Sequence, residues 1–282
     1  MNTVSLRHDR ASDTSGGDRL CVRFVDTCDS TNDSVFASEW SHMSPPWALA
    51  TFDQRAGRGR QGRVWANRPG ESLALTVVVE PRLSRDLWGW YSLAAALACR
   101  AVVGAGVHVK WPNDVVDSDF RKVAGILSQV RGERLAIGVG VNLRGDLDQG
   151  EPLVARASTV AFAAPDRAQG FETVGGRESF ARELAQSVVS VCNELESGDA
   201  GVHTIQSRYD VNCVTVGRSV WVETTGGIPE PQLAVGVDRY GHLLAQEPDG
   251  IRRTLSAADV HLLPPPQTST HHGDPQQGRK QE

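Results

Sequence analysis

Between residues 87 and 102, Leu87, Trp90, Tyr91, Ala94, Leu97, Ala98, Ala101 and Val102 recur at three- and four-residue steps, laying one apolar stripe along a helix. Ser84 stands where it can cap the start, and Gly104 and Gly106 end the pattern. Such a stripe must be covered by another apolar layer, so the chain has to build a core around it. A second stripe, Phe180, Leu184, Val188, Val191 and Leu195, predicts a companion helix over 177–196. A shorter helix is expected from Thr31, because Ser30, Thr31 and Asn32 are good capping residues ahead of Val35, Phe36 and Trp40.

Runs rich in β-branched residues predict strands at 21–25, 47–52, 73–79, 107–110, 123–130 and 135–141. They interleave with the helices without a regular strand-helix-strand rhythm. That predicts an α+β fold, a mixed and largely antiparallel sheet with helices packed on one face. After Gly217 only short strands follow, at 219–223, 233–237, 242–246 and 260–263, separated by Gly, Pro and Asp turns. These suggest a small β-barrel. The expected layout is a tail at 1–18, a main domain at 19–212, the barrel at 213–264 and a second tail at 265–282. Both tails are polar, lack apolar periodicity and are expected to be disordered.

No apolar run approaches the roughly 18 residues of a membrane helix, so no membrane partner and a cytoplasmic location are expected. Cys21, Cys28, Cys99, Cys192 and Cys213 are scattered and form no Cys-x-x-Cys or Cys/His cluster, which speaks against structural zinc and a disulfide framework. The formal net charge of -5 argues against general nucleic-acid affinity.

One segment reverses that sign. Arg55, Arg58, Arg60, Arg63 and Arg68 fall within 55–68, and no acid falls there. The run Gly57-Arg58-Gly59-Arg60-Gln61-Gly62-Arg63-Val64-Trp65 lies between two predicted strands and follows Gln54. Glycines let backbone N–H groups approach an anion, and arginines supply charge and forked donors to a carboxylate or phosphate. It is not a Walker A loop, because no Gly-Lys-Ser/Thr closes it, and no helix follows it as in a dinucleotide-binding turn. Trp65 could stack on a purine or anchor the loop in the core.

A second cluster is Lys110-Trp111-Pro112-Asn113-Asp114, followed by Lys122-Val123-Ala124-Gly125-Ile126-Leu127. Pro112 ends a strand, which leaves Asn113 and Asp114 exposed at a turn. The chain has only three lysines among its 29 cationic residues, and two of them, Lys110 and Lys122, fall here. A compact ammonium is what a site needs beside a carboxylate or phosphate. Two further elements are weaker alone: Ser30-Thr31-Asn32, where hydroxyls and free N–H groups meet at a helix start, and Gly138-Val139-Gly140-Val141-Asn142, a strand permitting close backbone approach.

Taken in order, Ser-Thr-Asn, Gly-Arg-Gly-Arg-x-Gly-Arg-x-Trp, Lys-Trp-Pro-Asn-Asp, Lys-x-Ala-Gly-Ile-Leu and Gly-x-Gly-x-Asn resemble the signature of biotin protein ligases, densely over residues 22–145. The resemblance implies a class II synthetase-like catalytic domain with an SH3-like C-terminal domain. It implies an ATP-dependent ligase that forms biotinyl-5'-AMP and transfers biotin to a lysine of a biotin carboxyl carrier protein or domain of an acetyl-CoA or acyl-CoA carboxylase. Ser30, Thr31, Asn32, Gln54, Gly57, Arg58, Lys122 and Gly125 would then hold biotin. Arg58, Arg60, Trp65, Lys110, Asn113 and Asn142 would hold ATP, with Asp114 assisting Mg2+. Lys122, Arg58 and Arg60 would carry the catalysis. A monofunctional type without a helix-turn-helix domain is implied, as a monomer or a weak, ligand-linked homodimer that binds no nucleic acid.

The nearest alternative is a ligase or transferase of the related superfamily acting on lipoate or octanoate. An RNA-binding module using the arginine loop and a biotin-responsive repressor are the others. The segment 163–176 carries no readable signal.

Overall fold

The computed structural model describes residues 5–6, 20–65, 68–145, 157–223, 230–256 and 259–262. Apart from Ser5–Leu6, which forms a strand, the expected tails lie outside the described residues. The main sheet has eight strands: β1 (Ser5–Leu6), β2 (Cys21–Thr27), β3 (Trp47–Thr51), β6 (Ser72–Val79), β7 (Val107–Lys110), β8 (Asp114–Asp117), β9 (Lys122–Arg131) and β10 (Arg134–Asn142). A separate two-stranded hairpin, β4 (Gly57–Arg58) and β5 (Val64–Trp65), precedes β6. The sheet order is β1-β2-β3-β6-β10-β9-β8-β7. Among the described strands of this sheet only β2 and β3 pair in parallel, so the sheet is mixed and largely antiparallel as expected.

Helices α2 (Gly89–Val103) and α4 (Val174–Leu195) lie side by side on one face. Leu73, Leu75, Val77 and Val79 of β6 and Leu135, Ile137, Val139 and Val141 of β10 point into the same core as the helices. Alternation then sends Ala74, Thr76 and Val78, and Ala136, Gly138 and Gly140, to the opposite face. That face carries α1 (Thr31–Ser34), and at one end Val78 and Ala136 are buried in a smaller apolar cluster with Val25, Val35, Trp40, Trp47 and Leu49. Among the described residues no covering helix pair lies over the part around Ala74 and Gly140.

Several local expectations are corrected. Ser84 makes no side-chain cap; a 3-10 turn at Arg85–Leu87 intervenes and the α-helix begins at Gly89. Ala101, placed in the stripe by spacing, is exposed. The helix expected from Thr31 stops after one turn, because Ala37 is extended, and a 3-10 turn at Ser38–Trp40 follows. Asp114 is not in a turn but opens β8, pairing with Lys110 and Gly125. The segment 163–176 begins at the last residue of a short helix, α3 (Val160–Ala163), holds a 3-10 turn at Pro165–Ala168, and passes the Thr173 cap into the first turn of α4. Helix α5 (Asp199–Asn212) was not anticipated.

The C-terminal unit is a five-stranded antiparallel sheet of β11 (Ser219–Glu223), β12 (Glu230–Val237), β13 (Leu243–Gln246), β14 (Arg252–Leu255) and β15 (Asp259–His261). Its Val220, Val222, Ala234, Val237, Leu243 and Val260 belong to the main core. Two buried indoles join the units. Trp90 Nε1 donates to the Arg239 carbonyl at 2.8 Å, and Trp111 Nε1 donates to the Gly241 carbonyl at 3.0 Å. The Trp111 backbone N–H also donates to Thr215 Oγ1 at 3.0 Å, and Val214 N–H donates to the Val109 carbonyl at 2.9 Å.

Trp111→Phe keeps most of the apolar area and removes one indole donor, stranding a partly buried carbonyl. It is expected to lower stability by about 1–3 kcal/mol in urea unfolding. An unchanged midpoint would mean that the bond to Gly241 contributes nothing.

Candidate active site

The registers of six strands place one row of residues across the face that carries α1. Lys110 of β7 sits opposite Asp114 of β8, Asp114 opposite Gly125 of β9, Gly125 opposite Gly140 of β10, Gly140 opposite Ala74 of β6, and Ala74 opposite Thr51 of β3. Charged side chains stand at one end, and the middle has almost no side chain at all. The Trp65 indole lies on that bare floor: a Cβ on Gly140 would come within 2.7 Å of its Cε2, and one on Gly125 within 3.1 Å of its Cζ3. Trp65 Nε1 is buried without a hydrogen-bond partner among the described residues.

At the charged end, Lys122 Nζ is 2.6 Å from Asp114 Oδ1, and Lys110 Nζ is 3.9 Å from Asp114 Oδ2. Two ammonium groups thus share one carboxylate. Lys122 Nζ also stands 5.3 Å from the Trp65 ring centre, within cation–π reach. Asn113 is held by its own side chain, whose Nδ2 donates to the Ile126 carbonyl at 2.9 Å. Its Oδ1 accepts from Arg60 Nη1 at 3.3 Å, which ties the arginine hairpin to the turn before β8.

The hairpin reverses at Gln61 and Gly62, both left-handed with φ of 56° and 75°. Gly59 N–H closes it on the Arg63 carbonyl at 2.7 Å. Gly57 has no room for a side chain, since a Cβ would meet Gln54 Nε2 at 2.6 Å and the Trp65 carbonyl oxygen at 2.7 Å. The Arg58 side chain is 67% exposed and pairs with Asp33 at 3.1 Å.

Beside this lies a pocket of neutral polar groups. Gln54 Oε1 accepts the Thr31 backbone N–H at 2.9 Å. Thr76 Oγ1, fully buried on β6, lies 2.8 Å from Thr31 Oγ1 and 2.7 Å from Asn32 Oδ1. Asn32 Nδ2 donates to the Leu127 carbonyl at 2.8 Å. Asn32 can lie there because Gly138 beneath it has no Cβ, which would come within 2.3 Å of Asn32 Oδ1. Ser30, Thr31 and Asn32 are buried. Cys28 is nearby in the chain, but burial pushes its thiol up to about 12, so it offers no thiolate.

The structure therefore gathers Ser30, Thr31, Asn32, Gln54, Gly57, Arg58, Arg60, Trp65, Lys110, Asn113, Asp114, Lys122 and Gly125 on one face. Asn142 is the exception in kind: it is 8% exposed, and its Nδ2 donates to the carbonyls of Lys122 and Ser158 at 3.2 and 3.1 Å. It clamps the start of β9. Sequence reasoning missed Thr76, which is hidden in an apolar run, and did not foresee that Asp33, beside the Ser30-Thr31-Asn32 element, pairs with Arg58.

A cationic end, a bare floor under an aromatic ring and a neutral polar pocket suit a ligand pair with one anionic junction. Residues 24–146 match the family model described as Biotin/lipoate A/B protein ligase family. The biotin--[acetyl-CoA-carboxylase] ligase of Mycobacterium tuberculosis is 32% identical over 223 residues, covering 76% of this chain and 78% of that one. This chain belongs to the biotin protein ligase family. The ligase of the same description from Paracoccus denitrificans is 31% identical, over 82% of this chain and 96% of that one. The fold matches too: the biotin protein ligase from Aquifex aeolicus, solved with biotin and ATP, superposes with a TM-score of 0.67 at 19% identity, over 85% of this chain and 97% of that one.

Within a biotin protein ligase fold, the bare floor makes a sharp demand. Gly140→Ala would force the indole of Trp65 off its seat, because a contact of 2.7 Å has to open. The expected outcome is a loss of about 1–3 kcal/mol in urea unfolding and a shifted Trp65 indole N–H resonance. An unmoved resonance would show that the floor tolerates a methyl group.

Proposed function

We propose that this biotin protein ligase condenses biotin with ATP to biotinyl-5'-AMP and passes the biotinyl group to a lysine of a carboxylase. The observation that carries the reading is Lys122, whose ammonium stands between the Asp114 carboxylate and the Trp65 ring at the edge of the glycine floor. Biotin would place its head group among Ser30, Thr31, Asn32, Gln54 and Gly57, with its valeryl chain running past Gly125. ATP would lie along Trp65, Lys110, Asn113 and Arg60, with Asn142 holding the strand end beneath it.

In the first step a carboxylate oxygen of biotin bonds to the α-phosphorus and the bond to pyrophosphate breaks. Two anions must meet, and Lys122, Arg58 and Arg60 offset the repulsion as charge builds on the phosphoryl oxygens. Positioning on a rigid sheet supplies much of the remaining rate. In the second step the acceptor lysine amine, having lost its proton, bonds to the acyl carbon and AMP leaves. Between the two steps the arginine hairpin shields the mixed anhydride from water.

Among the described residues no group of three His, Cys, Asp or Glu is placed to hold a metal. Asp114 supplies one carboxylate already paired with two lysines, so Mg2+ would be held mainly by phosphate oxygens and water, with Asp114 at most assisting. When bound, the ion would neutralise phosphate charge. The acceptor would be a biotin carboxyl carrier domain of an acetyl-CoA or acyl-CoA carboxylase, met in the cytoplasm by a monomer or a ligand-linked homodimer.

Incubation with biotin, MgATP and a carrier domain should add one biotinyl group to the carrier by mass spectrometry. An unlabelled carrier, or equal labelling with lipoate, would overturn the assignment. Lys122→Ala should slow pyrophosphate release by about 100- to 1,000-fold with the fold intact, the loss typical of one preorganised donor; wild-type release would remove Lys122 from the chemistry. Arg58→Ala should release the adenylate faster, and unchanged retention on gel filtration would deny the hairpin its shielding role.

A further inference from the structure

Thr76 has one hydroxyl proton and two oxygen neighbours, Thr31 Oγ1 at 2.8 Å and Asn32 Oδ1 at 2.7 Å. The proton can go to only one of them. Asn32 decides which. Its Nδ2 donates to the Leu127 carbonyl at 2.8 Å, and a flipped amide would press Oδ1 against that carbonyl oxygen. Asn32 Oδ1 therefore faces Thr76 and must receive the Thr76 proton. The short contact between Thr76 and Thr31 then needs the Thr31 proton.

Gln54 Oε1 is the competing acceptor for that proton. It lies 3.3 Å from Thr31 Oγ1, longer than the 2.8 Å contact to Thr76, and it already accepts the Thr31 backbone N–H at 2.9 Å, so the shorter contact takes the proton. We infer that Thr76 is a positioning residue that sets the polarity of the Thr31 hydroxyl, turning it into an acceptor for a ligand N–H. This rests on the proposed placement of the biotin head group in this pocket. A cyclic urea offers N–H donors beside its carbonyl, whereas the dithiolane of a lipoyl group offers none. Thr76 thereby favours a urea over the head group of the related superfamily substrates, without touching either.

Calorimetric titration of biotin into the full chain tests this, with the KM for ATP measured on the same proteins. Thr76→Val removes the hydroxyl at constant shape and should weaken biotin binding about tenfold, within the range for a lost buried partner, with the KM for ATP unchanged. Thr76→Ser should return binding to near the wild-type level. In a Thr31→Val background, Thr76→Val should cost little more, because the residue it acts through is gone. Should Thr76→Val not fold, Thr76→Ala removes the same hydroxyl and takes its place. Wild-type-like binding by the valine variant, equal losses for valine and serine, or an undiminished loss in the Thr31→Val background would each overturn the relay. A wild-type protein that gives no heat with biotin would instead overturn the functional reading on which it rests.

Discussion

The site depends on close approach to a sheet from which side chains have been removed. Gly125, Gly140 and Ala74 form the middle of a row that runs across the face carrying α1, and Gly138 lies two residues along β10. Ordinary strands would bury this face under aliphatic side chains, as β6 and β10 do on their other side with Leu75, Val77, Ile137 and Val139. The alternation Gly138-Val139-Gly140-Val141 accomplishes both in one strand, since successive residues point to opposite faces. The valines bury the strand in the core that α2 and α4 share, and the glycines open the space that Asn32 and Trp65 enter. Stability and access come from the same period-two pattern.

On that floor the polar groups divide by charge. The pocket around Thr31, Asn32, Gln54 and Thr76 is neutral and closely bonded, whereas the region around Lys110, Lys122 and Arg60 is cationic. Trp65 lies where the two meet. An uncharged cyclic head group and a triphosphate have opposite needs, and a molecule whose carboxylate points from one region to the other would have its reactive end at Lys122.

Much of this was legible in the sequence, and what escaped did so for identifiable reasons. The helix stripes and the sheet strands follow from periodicity, and the arginine hairpin and lysine cluster stand out because an acidic chain with three lysines places them together. Helix α5 escaped because its buried positions reduce to Gly201, Val202, Ile205 and Tyr209, too few for a stripe. Strand β14 escaped because its Arg252, Arg253 and Thr254 are all exposed, so no alternation appears. Asp114 was placed in a turn because Pro112 and Asn113 precede it; its strand register depends on pairing with Gly125, which local sequence does not encode. Thr76 sits inside Leu75-Thr76-Val77 and reads as core until the hydrogen bonds are seen.

The cations themselves are supported in two different ways, and the difference bears on chemistry. Lys110 and Asp114 flank a turn held from behind by the C-terminal unit, through Trp111 to Thr215 and Gly241 and through Val109 to Val214. Lys122 is likewise fixed at its backbone, where its carbonyl accepts from Ser158 N–H and Asn142 Nδ2. Ammonium groups on such supports need little reorganisation as phosphate charge develops, which is the condition under which fixed charges are most effective. Arg58 is two-thirds exposed and tied by one surface ion pair, an interaction of small net strength. It can leave Asp33 for a bound anion at little cost. The two lysines and the arginine are therefore held in different ways, and in the proposed reaction the firmly supported lysines would stabilise developing charge while the loosely held arginine would also be free to close over the product.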